Sequence, residues 1–88
     1  FGRNSMMEDV MRYAVSKGVF VASAAGNNSR FIQDNESDFF YPCGYGKDIE
    51  GFSCVGAVDS SLSDTRCAFS NYSTEYVELS APGCDSSV

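Results

Sequence analysis

A strand that is apolar on both sides needs cover on both sides, and this chain opens by building one. Val19-Phe20-Val21-Ala22-Ser23-Ala24 is nearly continuous in apolar, β-favouring residues. Such a strand suits the interior of a parallel sheet with helices on both faces. The residues before it supply a helix. Met7, Val10, Met11, Ala14 and Val15 fall at i, i+3, i+4, i+7 and i+8, which is one apolar stripe. Ser5-Met6-Met7-Glu8 has the S-x-x-E form of a capping box. Lys17 suits the negative end of the helix dipole, and Gly18 suits the left-handed position that follows. The pattern predicts a helix over residues 5–17, with its methionines as core fillers. Helix, glycine and buried strand make half of a right-handed βαβ unit.

Two more strands follow. Residues 52–58 read as a second buried strand, ended by Asp59-Ser60-Ser61. Residues 76–79 alternate as a short third strand, closed by Ala81-Pro82-Gly83. Between the first two, residues 28–41 read as an exposed loop. Its acids, Asp34, Glu36 and Asp38, lack the glycine and closing glutamate of an EF-hand loop. Residues 41–46 are rich in turn formers. Gly44-x-Gly46 lacks the third glycine and the preceding strand of a dinucleotide fingerprint. Residues 67–73 read as short and turn-like. One helix and about three strands cannot cover a parallel sheet on both faces. The expectation is therefore an α/β piece of a larger body, and the start at Phe1 and the stop at Val88 in mid-pattern suggest the same.

Composition narrows the function. With 88 residues, 43% hydrophobic and 20% charged, the chain is globular rather than disordered. Its net charge of -6 would repel a phosphate backbone, so no nucleic acid partner is expected. There is no apolar run of about 18 residues, so no membrane span is expected. Cys43, Cys54, Cys67 and Cys84 are widely spaced, and the chain has no histidine. That argues against zinc and for disulfides made in an oxidising, secretory compartment. Four cysteines allow three pairings, and sequence does not choose among them. Sequons at Asn27, Asn35 and Asn71 fit a secretory route.

The first strand narrows to Ala24-Ala25-Gly26 and then delivers Asn27. Small residues let something approach the backbone closely, and open parallel sheets bind ligands beyond the carboxyl ends of their strands. An asparagine has no proton to give up at neutral pH and no nucleophilic atom. Any chemistry at Asn27 is that of a hydrogen-bond donor. The residues alone equally allow a turn asparagine in a left-handed conformation.

Taken together, four blocks resemble the subtilisin-like serine proteases. "AVSKGVFVASAAGN" resembles their helix-strand-Asn block and "YPCGY" their Tyr-Pro turn. "CVGAVDSS" resembles their V-G-A-V strand, and "AFSNYSTEYVELSAPG" their S-F-S-x and A-P-G segments. The blocks stand in family order. The resemblance implies part of a doubly wound parallel α/β sheet with flanking helices, incomplete here, with residues 1–88 a central fragment of the peptidase catalytic domain. It implies a secreted endopeptidase that hydrolyses polypeptide substrates through a Ser-His-Asp triad. The family's Asp and His lie upstream of these blocks and its Ser downstream, so the rest of the catalytic domain is the fragment's first partner. Ser29, Ser70 and Ser73 have no base beside them in sequence and are not nucleophile candidates.

By the same resemblance, Asn27 matches the oxyanion-hole asparagine. A neutral, fixed N–H donor stabilises the developing oxyanion without competing for protons. Ser23, Ala24, Ala25 and Gly26 match the backbone wall of the substrate pocket. A glycan on Asn27 would destroy that site, which leaves Asn35 and Asn71 as the glycan candidates. Tyr41, Pro42 and Cys43 match a segment that borders the pocket and sometimes a cation site in relatives. No cofactor is required, and structural calcium is a family expectation only. No disulfide pairing carries over from the family, although a Cys43–Cys54 loop would be local. The alternative reading is a protease-like protein that binds without cutting.

Overall fold

A computed structural model describes residues 4–32, 41–62 and 65–87. Its elements are α1 (Ser5–Ser16), β1 (Val21–Ala24), a 3-10 helix (Cys43–Lys47), β2 (Phe52–Asp59) and β3 (Val77–Cys84). The three strands form one parallel sheet in the order β1-β2-β3. This is the incomplete α/β fold expected from sequence.

The helix is where its stripe predicts. Met7, Met11 and Val15 pack against buried Tyr45, Ile49 and Phe52. Its N-terminal cap lies one residue earlier than the S-x-x-E pattern suggests. The Asn4 side chain accepts from the Met7 N–H at 3.0 Å. Glu8 pairs with Arg12 one turn on, at 3.1 Å. Tyr45 anchors this end. Its hydroxyl donates to the Asn4 carbonyl at 2.8 Å and accepts from the Asn4 N–H at 2.9 Å. At the other end Gly18 takes φ +85°, as a C-terminal stop requires.

The sheet has one covered face. Phe52 and Cys54 point to it from β2, and Val21 joins them from β1. A second cluster there holds Ala25, Ile32, Cys43, Cys54 and Tyr76. Along β1, Val21 and Ser23 are half-buried while Ala22 and Ala24 are exposed. The strand expected to be buried on both sides is therefore open on one. Val19 and Phe20, at 52% and 59% exposure, lie before β1 and also face solvent. An apolar sheet face left open is what a piece of a larger α/β body presents.

Both disulfides are formed, Cys43–Cys54 and Cys67–Cys84. The first joins the 3-10 helix to β2. The second joins the turn after residue 66 to the end of β3. β3 is longer than its alternating pattern suggests and runs through Ala81-Pro82-Gly83. Pro82 is tolerated because β3 lies at the sheet edge among the described residues, next to an irregularity in the register between Val58 and Asp59.

Candidate functional site

Asn27 lies just past the C-terminal end of β1 and is exposed. The chain turns there at Gly26, whose φ of +102° is a conformation that side-chain-bearing residues rarely adopt. Among the described residues, no hydrogen bond involves Asn27. Its amide is free to donate to whatever binds beside it.

The turn around it is held from outside. Ala25 N–H donates to the Val55 carbonyl at 2.9 Å, which continues the ladder to β2. The chain then runs beside residues 68–72. Ser29 N–H donates to Phe69 at 3.0 Å, Tyr72 N–H to Arg30 at 3.0 Å, and Ile32 N–H to Tyr72 at 2.8 Å. The centre of this seam is Asn71, which is 2% exposed. Sequence reasoning marked Asn71 only as a glycan candidate. Its side chain is instead buried and bonded at both ends, so it is corrected to a structural role. Asn35, the other glycan candidate, lies outside the described residues, as do Asp34, Glu36 and Asp38.

A cleft of about 310 Å³ opens beside Asn27. It is lined by Ala22, Ala24, Gly26 and Asn27 and, from the neighbouring strands of the same sheet, by Ala57 and Gly83. The structure brings Ser23, Ala24, Ala25 and Gly26 together on this cleft, as expected from contiguity. They contribute unequally. Ala24 is exposed, whereas Ala25 is 4% exposed and its methyl belongs to the core. The Ser23 hydroxyl is turned to the Ala24 carbonyl at 3.2 Å.

The serines set aside as nucleophiles all have structural partners. Ser29 Oγ donates to the Ala68 carbonyl at 2.6 Å. Ser70 Oγ donates to the Asn71 carbonyl at 2.9 Å and accepts from Ala57 N–H at 3.0 Å. Ser73 Oγ accepts from the Glu75 and Tyr76 N–H groups at 3.1 and 3.2 Å.

Away from the cleft, Asp59 accepts from the Ser61 hydroxyl at 2.7 Å and the Ser61 N–H at 2.9 Å, and from Ser86 N–H at 3.3 Å. These donors, the Ser61 hydroxyl first, hold its carboxyl well below the usual carboxylate range. Among the described residues no group of three or more His, Cys, Asp or Glu could hold a metal ion. At the Tyr41-Pro42-Cys43 segment the Pro42 carbonyl is already used by Tyr45 N–H at 3.0 Å. Structural calcium in the parent protein stays a family expectation. No helix among them is long and apolar enough to cross a membrane.

Comparison with known proteins agrees with this architecture. A thermophilic serine proteinase from Bacillus sp. (strain AK1) is 40% identical over 79 residues, which cover 90% of this chain and 16% of that protein. The crystal structure of a psychrophilic subtilisin-like protease from the Antarctic psychrotroph Pseudoalteromonas sp. AS-11 superposes with a TM-score of 0.67 at 32% identity. That match covers 93% of this chain and 16% of the other. The chain thus spans 16% of the length of each of these relatives. The model of the subtilase family matches residues 1–88 from end to end, and the chain belongs to that family.

Proposed function

We propose that the whole protein is a secreted serine endopeptidase, and that this chain supplies its oxyanion donor and part of its substrate pocket. One observation carries the reading. Asn27 presents an amide with no hydrogen-bond partner among the described residues, and it lines a cleft just past the carboxyl end of a parallel strand. When a serine hydroxyl attacks a peptide carbonyl, negative charge builds on the carbonyl oxygen. A donor already aimed at that point stabilises the charge without reorganising. The small residues Ala24 and Gly26 leave room for a substrate side chain against β1. The chain has no histidine, so the general base of such a reaction comes from other residues of the protein. The two disulfides are compatible with the secretory route.

The test uses the full-length protein. It should cleave a chromogenic peptide and be labelled at a serine by a fluorophosphonate. Asn27→Ala should lower kcat by about 10²–10³, a magnitude borrowed from subtilisin, a member of this family. Peptide binding with neither cleavage nor labelling would make the protein a binding relative instead, with Asn27 a remnant.

A further inference from the structure

Among the described residues, Asn27 makes no hydrogen bond that could fix its own position. The residues on either side of it are held, and four of the bonds that hold them come from one residue, Asn71. Asn71 Nδ2 donates to the Ala25 carbonyl at 2.9 Å. Asn71 Oδ1 accepts from the Asn28 N–H at 3.0 Å and from the Arg30 N–H at 2.9 Å. The Asn71 backbone N–H donates to the Gly26 carbonyl at 2.9 Å. Four bonds from one residue thus bracket Asn27, two before it and two after it.

The amide type matters at this position. Only a side chain with a donor and an acceptor on one planar group can serve a carbonyl at one end and two N–H groups at the other. An aspartate would set a second oxygen against the Ala25 carbonyl. A serine would be too short to span both. Gly26 belongs to the same device. A Cβ placed there would lie 2.6 Å from Asn71 Nδ2, so the turn is closed against the asparagine and leaves no room between them.

Asn71 is itself braced. Arg66 Nη1 donates to the carbonyls of Cys67, Ala68 and Ser70 at 3.2, 3.2 and 2.6 Å. Its guanidinium stacks 4.5 Å from the Tyr72 ring centre. The Cys67–Cys84 bridge ties the start of the same turn to β3.

We propose that Asn71 is a positioning residue for catalysis: it holds the turn that aims the Asn27 amide at the developing oxyanion. This rests on the oxyanion reading of Asn27. Asn71 does not line the cleft beside Asn27. Its effect passes through residue 27, and a donor held loosely loses most of its value because the geometry must be right before the charge forms.

The experiment is a double-substitution cycle in the full-length protein, with kcat normalised by active-site titration so that misfolded molecules are not counted. Asn71→Ala should lower kcat by roughly 10- to 100-fold and leave KM within about two-fold. In an Asn27→Ala background the same substitution should cost less than about three-fold further, because the donor it positions is gone. Full multiplication of the two losses would overturn the proposal and make Asn71 a general stabiliser of the domain. So would an Asn71→Ala enzyme with unchanged kcat. An unchanged kcat in Asn27→Ala alone would remove the oxyanion reading and this proposal with it, which separates the two failures. If the alanine variant does not fold, Asn71→Asp, which conserves shape and the Oδ1 acceptor, takes its place under the same criteria.

Discussion

Cys67 and Cys84 are bridged with their Cα atoms 6.2 Å apart, so the turn that leads into Asn71 is fastened to the last residue of β3. The bridge spans 17 positions of chain. Closing a loop of that size restricts the unfolded state by about 3 kcal/mol in the chain-entropy model. Replacing both cysteines by alanine should therefore lower the denaturant midpoint of the inhibitor-blocked, full-length protein. On the positioning proposal it should also lower kcat more than KM changes, and steady-state kinetics at a temperature where the variant stays folded would show this.

Gly26→Ala should be worse than an ordinary surface substitution. The backbone at +102° is unfavourable for alanine, and the new methyl would push on the Asn71 amide. Strain of this kind costs on the order of 1–3 kcal/mol. Thermal denaturation should show a lower Tm, and peptide hydrolysis should fall even where the variant is fully folded.

Tyr45→Phe removes a hydroxyl that bonds both main-chain groups of Asn4. Asn4 is exposed, so water replaces part of what is lost. A loss of about 1 kcal/mol is expected in equilibrium unfolding, close to that of one net hydrogen bond. Asn4→Ala should cost about the same, because it removes the side-chain cap of α1.

Asp59 gives a pH dependence with a defined sign. Its carboxyl titrates lower in the folded protein than in the unfolded chain. Its contribution is therefore fully present above the ordinary carboxylate range and is lost as pH falls toward the folded value. The Tm difference between the parent protein and Asp59→Ala should be constant from pH 7 to about pH 5 and should shrink below about pH 4. A difference that grew with acid would contradict the hydrogen bonds from Ser61 and Ser86.

Much of the frame was legible in the residues. The stripe from Met7 to Val15 is a local signal, and α1 follows it. The strand at residues 52–58 is a local signal too, and β2 follows it. The helix cap lies one residue earlier because the Asn4 side chain, not that of Ser5, accepts from a first-turn N–H. β3 outran its pattern because, among the described residues, it is an edge strand, which can hold a proline that a central strand cannot. Asn27 is singled out by a motif at the end of a strand. Asn71 is not, because its partners Ala25 and Asn28 are 46 and 43 positions away. Nothing in Ser70-Asn71-Tyr72-Ser73 distinguishes a buried two-ended amide from a glycan acceptor. Only the seam between residues 26–32 and 68–72 does.

The burial of Asn71 also sets an order of events in time. In an unfolded chain Asn71-Tyr72-Ser73 is open to any enzyme that transfers glycans to asparagine; in the folded one its Nδ2 is spent on the Ala25 carbonyl. Sugar transfer and closure of the turn compete for one side chain, which the folded chain buries. A chain modified first could never seat that residue. In a host that glycosylates during export, the yield of correctly folded chain would be set by which of the two happens sooner, and in a host without the transferase the race is not run.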